Sequence, residues 1–175
     1  IRPRLNPQLC RLSSCCFGNQ KPITARSSEV RPEGVRNTIE TYLPTLTGRG
    51  RETIELAFFG GSFTGLSIAE QSAFLTVAKE YKDAGLIDKI HMSTRPDYID
   101  RDILDNLKTY DADIIELGVQ SFDPDVLRAS NRGHPAEDVY SACRLIQEYG
   151  FTLGHQRMIG LPGDSPAKST ASAKD

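Results

Sequence analysis

No apolar run in the chain approaches the roughly 18 residues that a membrane-spanning helix requires, so the sequence offers no such span. Cysteine is scarce: four in 175 residues, too few and too unevenly spaced for a disulfide-stapled secreted domain. Reduced thiols or metal ligands suit them better. The Cys-x-x-Cys spacing of thiol oxidoreductases is missing, as are the Gly-x-Gly-x-x-Gly fingerprint, the lysine of a phosphate loop and any internal repeat. Acidic residues are also missing at the start. None precedes Glu29, and that opening stretch is rich in Arg and Ser, a composition resembling an organelle transit peptide. A cytoplasmic chain is the competing expectation.

What is present suits a folded globular protein: 38% apolar and 25% charged residues, in a length that buries roughly 70% of its unfolded surface in one domain. Net charge is −2, yet residues 1–51 carry nine Lys/Arg against three Asp/Glu, and the remainder twelve against twenty. A basic first third suits either contact with a phosphate backbone or a solvated arm. The start at Ile1, and a last stretch "SPAKSTASAKD" that stops partway through a helical pattern, make a fragment the expectation. Two parts are expected, a basic cysteine-bearing segment over 1–32 and an α/β body over 33–175.

Periodicity in that body alternates. A helix opened by Pro32 runs over 33–43 with Val35, Ile39 and Leu43 on one face, and "TIELAFF" (53–59) reads as a buried strand. Ser67 caps the next helix, with Glu70 at the capping-box position and Gly85 to end it. A strand follows over 88–94, then a helix from Asp100 to about Tyr110 and a third strand over 113–119. A short helix after Asp123-Pro124, a longer one over 136–149 ended by Gly150, and a strand over 151–160 complete the pattern. Strand–helix repetition of this kind predicts parallel βα units with ligands at the carboxyl ends of the strands.

Polar groups recur at those ends. "FFGGSFTG" places Gly60, Gly61 and Ser62 directly after a strand, where backbone N–H groups can approach a ligand or simply make a tight turn. "STRPDYID" sets Ser93 and Arg95 at another strand mouth, the bland reading of Arg95 being a surface ion pair with Asp97 or Asp100. In "ELGVQSF", Glu116 interrupts an apolar strand and must face a polar lumen or a cation, and Gln120 offers both donor and acceptor. Arg132 in "SNRGH" is suited to a carboxylate; His134 reads as a local structural group and Cys143 as a buried thiol. His91 and His155 lack partners at metal-ligand spacing.

Taken in order, "FFGGSFTG", "STRPDYID", "IELGVQSF", "NRGH" and "IGLPGDSP" resemble the radical S-adenosylmethionine (SAM) superfamily, in the branch of the elongator catalytic subunit and, more distantly, of the oxygen-independent coproporphyrinogen III oxidases. The resemblance implies an α/β fold, a partial parallel (β/α)6 barrel incomplete at its carboxyl end. It implies two cofactors, SAM and a [4Fe-4S] cluster, which together yield methionine and a 5′-deoxyadenosyl radical, and an electron donor as a partner. Gly60, Gly61 and Ser62 are then expected at the SAM amino group, Arg132 at its carboxylate, and Ser93, Gln120 and Gln156 near its ribose. By the same resemblance a transfer-RNA base is the candidate substrate.

The cluster loop departs from the pattern. Relatives read Cys-x3-Cys-x-Phe-Cys-Asn-Gln. Alignment on Phe17 and Asn19-Gln20 puts Gly18 where the third cysteine belongs and Arg11 where the first belongs. The available set is Cys10, Cys15 and Cys16, spaced Cys-x4-Cys-Cys. Three thiolates must reach three irons, and adjacent side chains diverge. Two expectations therefore stand side by side: a radical SAM enzyme using these three cysteines as metal ligands, and a catalytically inactive SAM- or nucleotide-binding pseudoenzyme.

Overall fold

The computed structural model describes residues 31–46 and 53–174; Cys10, Cys15 and Cys16 lie outside the described residues. Pro32 opens helix α1 (Pro32–Leu46), which buries Val35 and Ile39 one turn apart. Strand β1 (Glu55–Phe58) leads through a 3-10 turn (Phe63–Gly65) into α2 (Ile68–Asp83). The Ser67 hydroxyl accepts from the Glu70 backbone while the Glu70 carboxylate accepts from the Ser67 N–H, so two orphan donors of the first turn are satisfied reciprocally. Gly85, at φ +68°, follows the last turn, where the left-handed conformation needs no Cβ.

Strand β2 (Lys89–Thr94), a 3-10 turn (Pro96–Tyr98) and α3 (Arg101–Thr109) follow, the helix capped by the Asp100 carboxylate on the Ile103 N–H at 2.8 Å. Then come β3 (Ile114–Gln120), the short α4 (Pro124–Ala129), α5 (Ala136–Glu148), β4 (Thr152–Arg157) and α6 (Pro166–Ser172). The sequence pattern extends the last strand to 160, but pairing stops at Arg157. Gly160 there adopts φ +78° and donates its N–H to Asp164, turning the chain away.

The four strands form one parallel sheet in the order β1-β2-β3-β4. Right-handed crossovers between successive parallel strands put the connecting helices on one face. That face is apolar: Leu56, Phe58, Ile90, Met92, Ile115 and Leu117 are fully buried against residues of α1, α2, α3 and α5. Strand alternation sends the remaining side chains to the opposite face. There the register aligns Ala57 with His91 and His91 with Ile114, then Ser93 with Glu116 and Gly154, then Gly118 with Gln156. Ile114 apart, the second face is small or polar over this register. The four strands supply the parallel part of a barrel wall, the architecture expected from the sequence.

Candidate functional site at the strand tips

The loop after β1 begins at Gly60, whose φ of +101° only glycine adopts easily. Gly61 is half-buried and Ser62 is buried. The 3-10 turn that follows is pinned to the neighbouring strand by the buried hydroxyls of Thr64 and Thr94, 2.5 Å apart. Thr94 ends β2, one residue past Ser93, which lies half-buried on the polar face. The glycine loop and the β2 tip are thereby held together.

At the next strand the ladder is irregular. Between Gly118 and Gln120, β3 uses one residue more than β4, a β-bulge. Gln120 sits at φ +69°, a left-handed conformation that costs a non-glycine residue on the order of 1 kcal/mol. Its backbone is held by Met158, whose N–H donates to the Gln120 carbonyl at 3.1 Å. The residue is only 8% exposed, and the amide oxygen accepts no hydrogen bond among the described residues. A buried acceptor without a donor is costly in a finished core, and suits a group that completes its bonding on a ligand.

Arg132 comes to the same place from the loop after α4. Its Nη2 donates to the Gly118 carbonyl at 2.6 Å. A Cβ built on Gly118 would meet that nitrogen at 2.8 Å and the Gln120 Nε2 at 3.4 Å, so Gly118, Gln120 and Arg132 form one contact group. Gln156, exposed, stands opposite Gly118 in the β3–β4 register. The structure thus places Gly60, Gly61, Ser62, Ser93, Gln120, Arg132 and Gln156 at the carboxyl end of one sheet. Beside Arg132 lies an open cleft of about 630 Å³, lined also by Phe122, Leu127, Asn131 and His134.

Arg95 does pair with Asp97, but not at the surface: it is 4% exposed, its Nε and Nη2 each donating to the Asp97 carboxylate at 2.9 Å. Proline, aspartate and tyrosine directly after the arginine were the available signal, supplying a turn, a carboxylate and a ring for the guanidinium. Glu116 faces the polar side, with His91 Nε2 3.9 Å away, and His91 Nδ1 lies 3.6 Å from Glu55. No group of three or more His, Cys, Asp or Glu side chains among the described residues could hold a metal. His134 is buried and bonded locally, its Nδ1 3.3 Å from the Pro135 carbonyl. Burial holds its pKa below the ordinary imidazole value, Arg132 and Arg95 adding to the effect, while the Pro135 carbonyl and Asp97 oppose it.

Cys143 is half-buried rather than sealed, and its Sγ lies 3.1 Å from His155 Nε2. Burial raises the thiol pKa, and burial with the nearby Arg157 charge lowers that of the imidazole, both shifts disfavouring a thiolate–imidazolium pair.

A family model described as the Radical SAM superfamily matches residues 15–171. The chain is 28% identical over 183 residues to the tRNA uridine(34) acetyltransferase of Dehalococcoides mccartyi, covering 95% of this chain and 37% of that protein. It is 30% identical over 118 residues to the oxygen-independent coproporphyrinogen III oxidase of Escherichia coli, covering 67% and 26% respectively. Among solved structures, Methanocaldococcus infernus Elp3 matches 99% of the chain, and 41% of its own length, with a TM-score of 0.70 at 24% identity. The E. coli coproporphyrinogen III oxidase structure matches 99% of the chain and 39% of its own length, with a TM-score of 0.64 at 23% identity. The chain therefore spans well under half the length of these relatives, and the two structural likenesses are likenesses of fold.

Proposed function

The chain belongs to the radical SAM superfamily, and from that premise we propose that its strand tips bind S-adenosylmethionine for radical chemistry on an RNA base. The observation that carries the reading is the Gln120 amide oxygen, buried without a described partner, beside the Arg132 guanidinium. A nucleoside sulfonium amino acid offers hydroxyls, an ammonium and a carboxylate. The donor and acceptor set at the strand tips suits all three.

Arg132 would take the carboxylate, adding a charge-assisted bond to the one it makes with Gly118. Backbone groups of Gly60, Gly61 and Ser62 would meet the amino group, and Ser93, Gln120 and Gln156 the ribose. The polar face of the sheet orients the cofactor, and the sealed apolar face behind it keeps water from that side. A [4Fe-4S] cluster and SAM bound here would supply radical chemistry, with an external donor as the source of the electron. Cys10, Cys15 and Cys16 would hold that cluster; none of the described residues forms an alternative metal site. For the substrate, the support is the basic first third of the chain and its likeness to the D. mccartyi tRNA uridine(34) acetyltransferase.

The spacing Cys-x4-Cys-Cys, with Gly18 in place of a cysteine, supports a second reading: a SAM-binding protein without radical chemistry. Anaerobic iron–sulfur reconstitution followed by a SAM-cleavage assay separates the two. Release of 5′-deoxyadenosine above background supports the enzyme. SAM binding that is equal with and without iron, and no cleavage, supports the second reading.

A further inference from the structure

We propose that Arg95 and Gly118 are positioning residues that jointly fix where the Arg132 guanidinium stands, Arg95 by holding the Arg132 backbone and Gly118 by leaving the space the guanidinium occupies. The proposal deepens the SAM reading of Arg132 and rests on it for its ligand.

A guanidinium that is 4% exposed must have its donors met and its charge balanced. Arg95 achieves both with a planar fork. Nε and Nη2 grip the two Asp97 oxygens at 2.9 Å each, Nη1 donates to the Arg132 carbonyl at 3.1 Å, and the Tyr98 ring lies 5.4 Å from the guanidinium carbon. Asp97 neutralises Arg95, so the charge of the buried fork is balanced where it stands. Lysine has a single point of charge and cannot reproduce the fork.

The carbonyl that Arg95 holds belongs to a turn in which Asn131, at φ +52°, and Gly133, at φ +77°, flank Arg132 in left-handed conformations. The Arg132 N–H reaches back to the Leu127 carbonyl at 2.9 Å. With its backbone fixed, the side chain crosses to β3 and bonds the Gly118 carbonyl at 2.6 Å. It fits because Gly118 has no side chain. A Cβ there would stand 2.8 Å from Arg132 Nη2, while its next neighbours, Gln120 Nε2 at 3.4 Å and the Thr94 carbonyl at 3.5 Å, are near ordinary contact. Gly118 is not among the glycines with positive φ. Alanine at 118 therefore strains no backbone. What must give way is the far end of one flexible side chain, the guanidinium itself.

Two readouts on the full chain test this. The first needs no ligand: 15N NMR of arginine side chains, in which a guanidinium held at Gly118 rotates slowly. Arg132 should show restricted rotation in the parent protein and averaging in both Arg95→Met and Gly118→Ala; restricted rotation retained in both variants overturns the proposal. The second is SAM titration into iron–sulfur-reconstituted protein. Arg132→Ala should weaken binding about 10- to 100-fold. Arg95→Met and Gly118→Ala should each cost about 5- to 30-fold, Arg95→Lys should not restore the loss, and neither variant should weaken binding further once Arg132 is alanine. Undiminished losses in that background overturn the proposal. Should Arg95→Met fail to fold, Gly118→Ala decides alone. If Arg132→Ala leaves SAM affinity unchanged, the carboxylate assignment falls, and the NMR readout alone then supports or overturns the positioning claim.

Discussion

The two faces of the sheet obey different rules. On the helix side, Leu56, Phe58, Ile90, Met92, Ile115 and Leu117 are fully buried and close-packed. On the other side, past Ile114 at the start of β3, alternate residues of the same strands are small, polar or ionisable: His91 and Ser93 on β2, Glu116 and Gly118 on β3, Gly154 and Gln156 on β4. One set of backbones serves both, because a strand of period two can satisfy opposed demands with alternate positions. The apolar face makes the sheet stable, and the polar face makes it usable. Where the two demands meet, at the strand tips, the backbone becomes irregular: Gly60 and Gln120 take positive φ, and β3 bulges.

Substitutions that tell the faces apart sharpen this contrast. Leu117→Ala, on the apolar face, should lower unfolding free energy by about 3–4 kcal/mol in urea titration. Arg132→Ala, at the tips, should weaken SAM binding by about 2 kcal/mol and leave the urea midpoint within experimental error. Ser67→Ala, at the cap of α2 just beyond the glycine loop, should cost about 1 kcal/mol of stability through its capping box without altering SAM affinity. Glu116→Gln, adjacent in sequence to Leu117 but on the polar face, should change stability by no more than about 0.5 kcal/mol. An effect of Glu116→Gln as large as that of Leu117→Ala would break the distinction.

The smallest effect concerns pH. His134 has a folded-state pKa below its ordinary value, so the unfolded chain binds the proton more tightly. Its contribution is complete above the ordinary imidazole pKa and declines as pH falls through that value toward the lower folded one. His155 is shifted in the same direction. Urea midpoints should fall on acidification from about pH 8 to pH 5, and His134→Gln should shallow that slope without abolishing it. A slope unchanged by the substitution would count against His134 as its source.

Much of the scaffold was legible because its causes are local. Pro32, the Ser67–Glu70 box, Gly85, Asp100 and Gly150 mark helix ends through hydrogen bonds or φ values decided within a few residues. Glu116, a carboxylate interrupting an apolar run, likewise announced the polar face that it occupies. What escaped was decided by distant partners. Burial of Arg95 depends on a carbonyl 37 positions later, and the Thr64–Thr94 bond spans 30 positions. The premature end of β4 depends on Asp164 reaching back to Gly160. The role of Gly118 was invisible because a missing side chain acquires meaning only once Arg132 has folded over it.

The bulge at the end of β3 has a consequence for sequence change. Because Gly118 pairs with Gln156 and Gln120 with Arg157, β3 spends two steps where β4 spends one. Deleting Val119 would let the ladder run straight and leave all four strands in place, yet it would rotate the glutamine out of its left-handed seat and through to the other side of the wall. Among homologues, then, a count of residues between the glycine and the glutamine reports on ligand chemistry as much as the identity of either one.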